Sequence, residues 1–350
     1  MTGVLVTGSG GLVGSETAFY YLRKGFKVYG IDNDMRSYFF GDSGSTKMTV
    51  KRLDDFDNYT HFNIDIRKYS DLESIFNKLE DIDLVIHTAA QPSHDWAATE
   101  PLTDFGVNAV GTINLLENVR ISCPTAVFIF TSTNKVYGDS PNLVKLKELK
   151  SRYEFVLDDG SLSDGFNENL TIDQSKHSVF GASKVSADIM VQEYGRYFDM
   201  KTVSFRCGCL TGPRHSGVEL HGFLSYLMKC IVHKMPYNIF GYKGKQVRDN
   251  IHSSDLVSAF DKFYENPKCG EVYNMGGARQ SNCSMLEAIS IGEEFSGNNL
   301  KYNYIENNRS GDHKWWISDT SKFEKDYPSW SRKYLIKDII GDICKEEMQS

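Results

Sequence analysis

Short β-branched and apolar runs alternate with longer stretches of helical periodicity through the N-terminal part of the chain. Val4–Val6 is such a run, ending at Gly8, and it reads as a strand buried in a parallel sheet. A helical pattern covers Leu12 to Lys24 and stops at Gly25; Phe26–Ile31 is the next strand, ending at Asp32. Strand, glycine loop, helix and strand make a βαβ unit. The alternation then repeats, with helices expected at Asp71–Leu79, Asp104–Val119 and Ser183–Tyr197, and strands at Leu84–His87, Ala126–Thr131 and Thr202–Arg206. This order predicts an α/β fold with a doubly wound parallel sheet. Ligands of such sheets bind beyond the carboxyl ends of the strands.

From Cys207 onward the pattern changes to glycine, histidine, aromatic and polar residues in short elements. This predicts a smaller C-terminal substrate-binding lobe that closes over the site. The expected division is a dinucleotide-binding domain at 1–206, rejoined in part by 247–275, and a lobe built from 207–246 and 276–350. Segments 36–52 and 140–175 are polar and read as loop-rich.

Charge and composition narrow the function. A net charge of −7 argues against nonspecific nucleic-acid binding, which needs a basic surface. No apolar run approaches the roughly 20 residues that cross a bilayer, so no membrane association is expected. The opening residues lack a basic segment followed by a long apolar one, which points to a cytoplasmic location. The seven cysteines are scattered and read as reduced thiols. Cys207 and Cys209, with His215 and His221, fit no common zinc spacing, and no metal is expected.

The candidate chemistry begins at Gly8-Ser9-Gly10-Gly11-Leu12-Val13-Gly14. Placed between a strand and a helix, this is the Rossmann dinucleotide fingerprint. Gly8 makes the turn, Gly10 and Gly11 bring backbone to a pyrophosphate, and Gly14 lets helix and strand approach; Leu12 and Val13 open the helix whose N–H groups meet the phosphates. Asp32, followed by Asn33, stands 18 residues past Gly14. A carboxylate there accepts from both ribose hydroxyls and repels a 2′-phosphate, which favours NAD over NADP. Asp65, before Ile66, is a candidate for the adenine or for a turn.

These residues resemble the extended short-chain dehydrogenases/reductases, in particular their nucleotide-sugar epimerases and dehydratases. The resemblance spans nearly the whole chain and rests on Gly8–Gly14, His87-Thr88-Ala89-Ala90, Asn108, Thr131-Ser132-Thr133, Lys184 and Arg248-Asp249. Within the family, residues 132–139 and 244–249, with Gln91-Pro92-Ser93-His94-Asp95-Trp96, are similar to the CDP-paratose 2-epimerases, also called CDP-tyvelose 2-epimerases. The resemblance implies a bound NAD that takes a hydride from a sugar carbon and returns it to the other face. It adds Ala89, Ala90, Gln91 and Asn108 to the cofactor site. It gives Thr133 a hydrogen bond to the reacting hydroxyl, and gives Lys184 the nicotinamide ribose and a positive local potential. Ser93, His94, Thr133 and Asn134 would meet the sugar, Arg248 and Arg309 the diphosphate, and Asp312 a ribose. Lys243 and Lys245 join Arg248 in a glycine-flanked basic loop suited to a diphosphate. The stretches 210–215 and 219–223 fall where relatives read the nicotinamide and the base, and Trp315-Trp316 are candidates for base stacking or core. Helices 104–119 and 183–197 occupy the positions of the family's homodimer interface.

One position breaks the pattern. The family's proton-transfer residue is a tyrosine four positions before the lysine, and here that position is Phe180. Phenylalanine has no ionisable group. A substitute base is therefore expected among His94, Lys135 and His177; Tyr137 is usually structural in relatives. Two alternatives stand beside it: a 4,6-dehydratase, although Asn134 lacks the carboxylate those enzymes carry there, and a protein that binds NAD and nucleotide sugar without turnover.

Overall fold

The computed structural model describes residues 2–349 apart from 80, 216, 220 and 310. Its centre is a seven-stranded sheet of Gly3–Thr7 (β1), Lys27–Ile31 (β2), Tyr59–Phe62 (β3), Ile82–His87 (β4), Val127–Thr133 (β5), Thr202–Cys207 (β6) and Glu271–Met275 (β7). Spatial order is β7-β6-β5-β4-β1-β2-β3. The pairs from β5 through β4 and β1 to β3 run parallel. Strand order reverses beside β1, so the loops after β1 and β4 open at the topological switch point.

The expected fold class therefore stands. Val4, Leu5, Val6, Leu84, Val85 and Ile86 are wholly buried, as central parallel strands covered by helices on both faces require. Leu115, Leu116, Val119, Ala187 and Val191 bury one side of the covering helices against Leu5, Val85, Phe128 and Phe130.

The chain divides into two compact units: Met1–Val136, Val179–Arg206 and Val257–Tyr273 form the first, and Tyr137–Ser178, Cys207–Leu256 and Asn274–Ser350 the second. This differs from the expected boundaries in two places. Residues 137–178, expected in the first unit, belong to the second. There the Tyr137 hydroxyl donates to Asn274 Oδ1 at 2.8 Å, and its ring stacks on Trp316. Phe155 and Phe166 pack on Trp315, and both tryptophans are wholly buried, so this pair is core. Residues 247–256 also stay in the second unit, because the strand Val247–His252 pairs with Asn282–Ser284 and Trp315–Trp316. The returning segment is 257–273. Asp261 ties it down by accepting from Tyr20 Oη at 2.7 Å and Lys24 Nζ at 2.9 Å.

Segment 36–52, expected as loop, forms helices Met35–Phe40 and Lys47–Leu53. The Asp34 carboxylate organises the turn between them, accepting from Thr46 N at 2.7 Å and Ser45 Oγ at 3.0 Å. Burial raises its pKa, but these hydrogen bonds outweigh that and leave it below the usual carboxylate range.

Inside the first unit a buried ion pair joins β5, β6 and the long helix Ser178–Tyr197. Asp188 accepts from Ser132 Oγ at 2.5 Å, Gln192 Nε2 at 2.6 Å and Arg206 Nη2 at 2.7 Å. Asp188→Ala removes the carboxylate that pairs with the buried Arg206 guanidinium. Urea unfolding is expected to show a loss of about 3–5 kcal/mol, and a loss below about 1 kcal/mol would contradict this account.

Candidate functional site

The loop after β1 has the geometry its sequence predicts. Gly8 takes φ +69°, a left-handed conformation that L side chains rarely adopt. A Cβ at Gly14 would stand 2.0 Å from the Gly8 carbonyl oxygen, so only glycine lets the helix approach this closely. The helix Leu12–Arg23 starts at Gly11 with no side-chain cap and no acidic residue in its first turn. Its leading N–H groups are thus left to a ligand or solvent, and they suit a pyrophosphate.

Asp32, at the end of β2, reaches into this loop. Its Oδ2 accepts from Gly10 N at 2.9 Å, and its Oδ1 from Asp34 N and Thr46 Oγ1, both at 2.9 Å. Those bonds fix the carboxylate at the loop, and Thr46 is a support the sequence did not reveal. Asn33 Oδ1 accepts from Met35 N and shapes the following turn. If Asp32 takes the ribose, as its place at the end of β2 suggests, Asp32→Ala removes the acceptor of both ribose hydroxyls and the charge that opposes a 2′-phosphate. The NAD-to-NADP affinity ratio measured by calorimetry is expected to fall about 10–100-fold; an unchanged ratio would remove Asp32 from the cofactor site.

Asp65, a candidate for the adenine or for a turn, is bound to Arg67. It accepts from the Arg67 backbone N–H, Nε and Nη2, the last at 2.6 Å, and Ile66 beside it is buried. After β4, the Ala89 backbone lies against Gly8, and Ala89 N donates to Thr7 Oγ1 at 3.3 Å; Ala90 follows it, half-buried.

The next residues enter a buried polar network. Gln91 N donates to Asn108 Oδ1 at 3.0 Å, and Gln91 Nε2 donates to Asp104 Oδ1 at 2.8 Å. Asn108 Nδ2 donates to Gln91 O, Asp104 Oδ1 and Ser183 Oγ at 3.0–3.1 Å. Asn108 sits in a wide π turn, Gly106–Val110, that interrupts the expected helix 104–119. Such turns recur at functional sites because they redirect a side chain. Burial raises the Asp104 pKa, opposed by its hydrogen bonds and by Lys184.

The candidate catalytic residues divide between the units. In the first, Lys184 is buried, with Nζ donating to Thr131 O at 2.9 Å and lying 4.1 Å over the Phe130 ring. Thr133 Oγ1 accepts from Lys135 N at 3.2 Å and lies 3.4 Å from Asn134 Oδ1. Lys135 thus meets Thr133 through its backbone. Ser93 Oγ caps the short helix His94–Thr99. The His94 ring lies edge-on to the Phe180 ring, with centroids 4.8 Å apart. His177 belongs to the second unit, where its Nε2–H donates to Ile172 O at 2.7 Å.

The substrate candidates Arg248, Arg309 and Asp312 are all in the second unit. Arg248 and Asp312, expected on different parts of a nucleotide, form a salt bridge, and Arg248 Nη1 also donates to Val247 O. Arg309 reaches Glu219 O at 3.4 Å. Lys243 and Lys245 share Glu148 at 3.0 Å and 2.8 Å, so the basic loop is partly neutralised from within its own unit. Leu220 and Ser310, in two of the stretches singled out, lie outside the described residues.

The NAD dependent epimerase/dehydratase family model matches residues 4–276. The chain belongs to this family. Its cofactor is NAD, and it is an enzyme of the nucleotide-sugar epimerase/dehydratase type. CDP-paratose 2-epimerase of Salmonella typhi is 30 % identical over 344 residues, covering 96 % of this chain and 96 % of that protein. Bifunctional UDP-glucose 4-epimerase and UDP-xylose 4-epimerase 3 of Arabidopsis thaliana is 28 % identical over 354 residues, or 97 % and 93 % of the two chains. Among solved structures, a tyrosine-to-phenylalanine mutant of UDP-glucuronic acid 4-epimerase from Bacillus cereus, in complex with a fluorinated UDP-sugar and NAD, superposes with a TM-score of 0.81 at 25 % identity, covering 99 % of each chain. No helix among the described residues is long and apolar enough to cross a membrane.

Proposed function

We propose that this family member is a nucleotide-sugar epimerase of the CDP-paratose 2-epimerase kind, inverting one sugar carbon by hydride removal and return. The observation that carries the reading is Lys184: a buried ammonium tied to the carbonyl of Thr131 at the carboxyl end of β5, two strands from the Gly8–Gly14 loop. Bound NAD supplies the hydride acceptor and donor. Lys184 holds the nicotinamide ribose and keeps the potential positive beside the reacting hydroxyl, which Thr133 orients. Ser93, His94 and Asn134 contact the sugar. In the second unit Arg248 and Arg309 take the diphosphate, and Asp312 exchanges part of its bond to Arg248 for a ribose hydroxyl. The protein acts in the cytoplasm as a homodimer, a reading supported by exposed Leu102, Ile121 and Tyr197 along the first unit's helices.

The decisive experiment incubates purified protein with CDP-paratose or CDP-tyvelose. Tight NAD and interconversion of the two sugars without net redox change support the reading. In deuterated water the inverted carbon should stay free of deuterium, because its hydrogen travels as hydride. A keto-sugar product absorbing in alkali would replace the reading with 4,6-dehydration, against which Asn134 argues. Tight sugar-nucleotide binding with no turnover on CDP-, UDP-, GDP- and dTDP-sugars would replace it with a binding protein.

A further inference from the structure

Removing a hydride from a secondary alcohol requires a base for the hydroxyl proton, and Phe180 cannot supply one. We propose that His94 is that base, and that a chain of buried hydrogen bonds fixes its loop to the helix carrying Phe180 and Lys184. The proposal rests on the epimerase reading above.

The geometry of the first unit selects His94. That unit holds three histidines: His61, His87 and His94. His87 is fully buried, with Nδ1 2.7 Å from Thr7 Oγ1 and Nε2 2.9 Å from Thr112 Oγ1. Since the Thr112 hydroxyl donates to Asn108 O, His87 Nε2–H donates to Thr112, and the ring is a locked neutral imidazole. Burial and the Lys184 charge push its pKa down to about 3, far from a working base. His61 is on β3, at the edge of the sheet, 3.4 Å from Tyr59 Oη. His94 alone stands against the side chain that replaces the missing phenol, one helical turn before Lys184.

The juxtaposition is enforced. Ser93 N donates to Gln91 Oε1 at 2.6 Å, which sets the backbone entering His94. Gln91 is clasped by Asn108 and Asp104; Asn108 donates to Ser183 Oγ, and Ser183 Oγ donates to the carbonyl of Phe180 itself at 3.0 Å. Gln91, Asp104, Asn108 and Ser183 are each no more than 1 % exposed. The phenyl ring then gives one wall to the imidazole and keeps water from it on that side. The titratable groups around this junction are Asp104 beneath the loop, Asp95 next in sequence and Lys184 along the helix. Histidine titrates near neutral pH, as a base in this position must.

The step balances. An unprotonated ring nitrogen of His94 takes the sugar hydroxyl proton as the C–H bond breaks and a C=O bond forms; the hydrogen leaves with both electrons as hydride, for which bound NAD would be the acceptor. When the hydride comes back on the other face, the imidazolium returns its proton to the oxygen. Sugar and imidazole end in their starting oxidation and protonation states.

The test uses the NAD-loaded protein with CDP-paratose, following epimerisation and the 340 nm transient against pH. His94→Gln should lower the rate about 10²–10⁴-fold and abolish the limb on which activity rises with pH through the histidine range. Phe180→Tyr in that background should restore activity, which guards against a merely misfolded single variant. Asp104→Asn, a positioning change, should lower kcat more than it raises KM and keep the limb. Independently of turnover, the NMR signal of the His94 Cε1–H, assigned by its loss in His94→Gln, should be ring-shifted by Phe180 and move when CDP-paratose binds. Wild-type protein that turns over while His94→Gln matches it in rate and pH profile overturns the assignment alone. A wild type that turns over no sugar nucleotide overturns the assignment and the epimerase reading together.

Discussion

Gly14→Val is expected to strip NAD from the protein. The new Cβ would stand 2.0 Å from the Gly8 carbonyl oxygen, 2.6 Å from the Gly8 carbonyl carbon and 2.9 Å from Thr88 Oγ1. The first two are backbone atoms of the turn proposed to present N–H groups to the pyrophosphate, and no side-chain rotation relieves them. Either the loop opens or the helix Leu12–Arg23 withdraws from β1. In both cases the donors that converge on the phosphates lose their geometry together. Overpacking of this kind costs about 1–3 kcal/mol of stability, within the usual stability margin of a domain. The variant should therefore fold, with near-native circular dichroism, and purify without the dinucleotide absorbance of the wild type. Stoichiometric NAD on folded Gly14→Val would mean that the cofactor does not lie on this loop.

The reach of the sequence follows the range of the forces involved. β1, β2, β4, β5 and β6 were legible because central parallel strands are continuous apolar runs. β3, Tyr59–Phe62, was not: it is a short edge strand whose outer residues remain partly exposed, so it carries no such run. The helices at 35–40 and 47–53 were hidden because they depend on Asp34 reaching Thr46, a bond across polar residues that read as loop. The helix expected from Asp104 begins with Pro101 and is broken by the wide turn around Asn108, which periodicity smooths over. The Ser183 helix starts earlier, at Ser178.

The site divides the same way. The glycine loop and Asp32 form one contiguous βαβ unit, and their spacing alone announced a dinucleotide. The pairings of Arg248 with Asp312, and of His94 with Phe180, join residues far apart in the chain and leave no periodic trace. Asp104 was read only as the start of a helix. Its position four residues before Asn108 was the available signal, since such a pair shares one helical face. Its burial came from tertiary packing.

Lys184→Met carries the second large effect and separates chemistry from architecture. Methionine nearly keeps the length and apolar stem of lysine, so packing over Phe130 survives while the ammonium and its hydrogen bond to Thr131 O are lost. An unpaired buried carbonyl costs about 1–3 kcal/mol, enough to lower the melting temperature and not enough to unfold the protein. The catalytic loss should be much larger, about 10²–10⁴-fold in kcat. The positive charge proposed to favour the alkoxide-like transition state disappears, and so does the proposed donor to the nicotinamide ribose. The same deletion has an electrostatic signature elsewhere. Lys184 depresses the His87 pKa and opposes the burial-driven rise at Asp104, so without it both pKa values should move upward. Following the Asp104 side-chain carboxyl by carbon NMR reads this change without any turnover. If kcat falls while the Asp104 carboxyl does not move, the lysine acts only through its hydrogen bonds. If the carboxyl moves while kcat holds, its charge is structural and the catalytic role proposed for Lys184 is wrong.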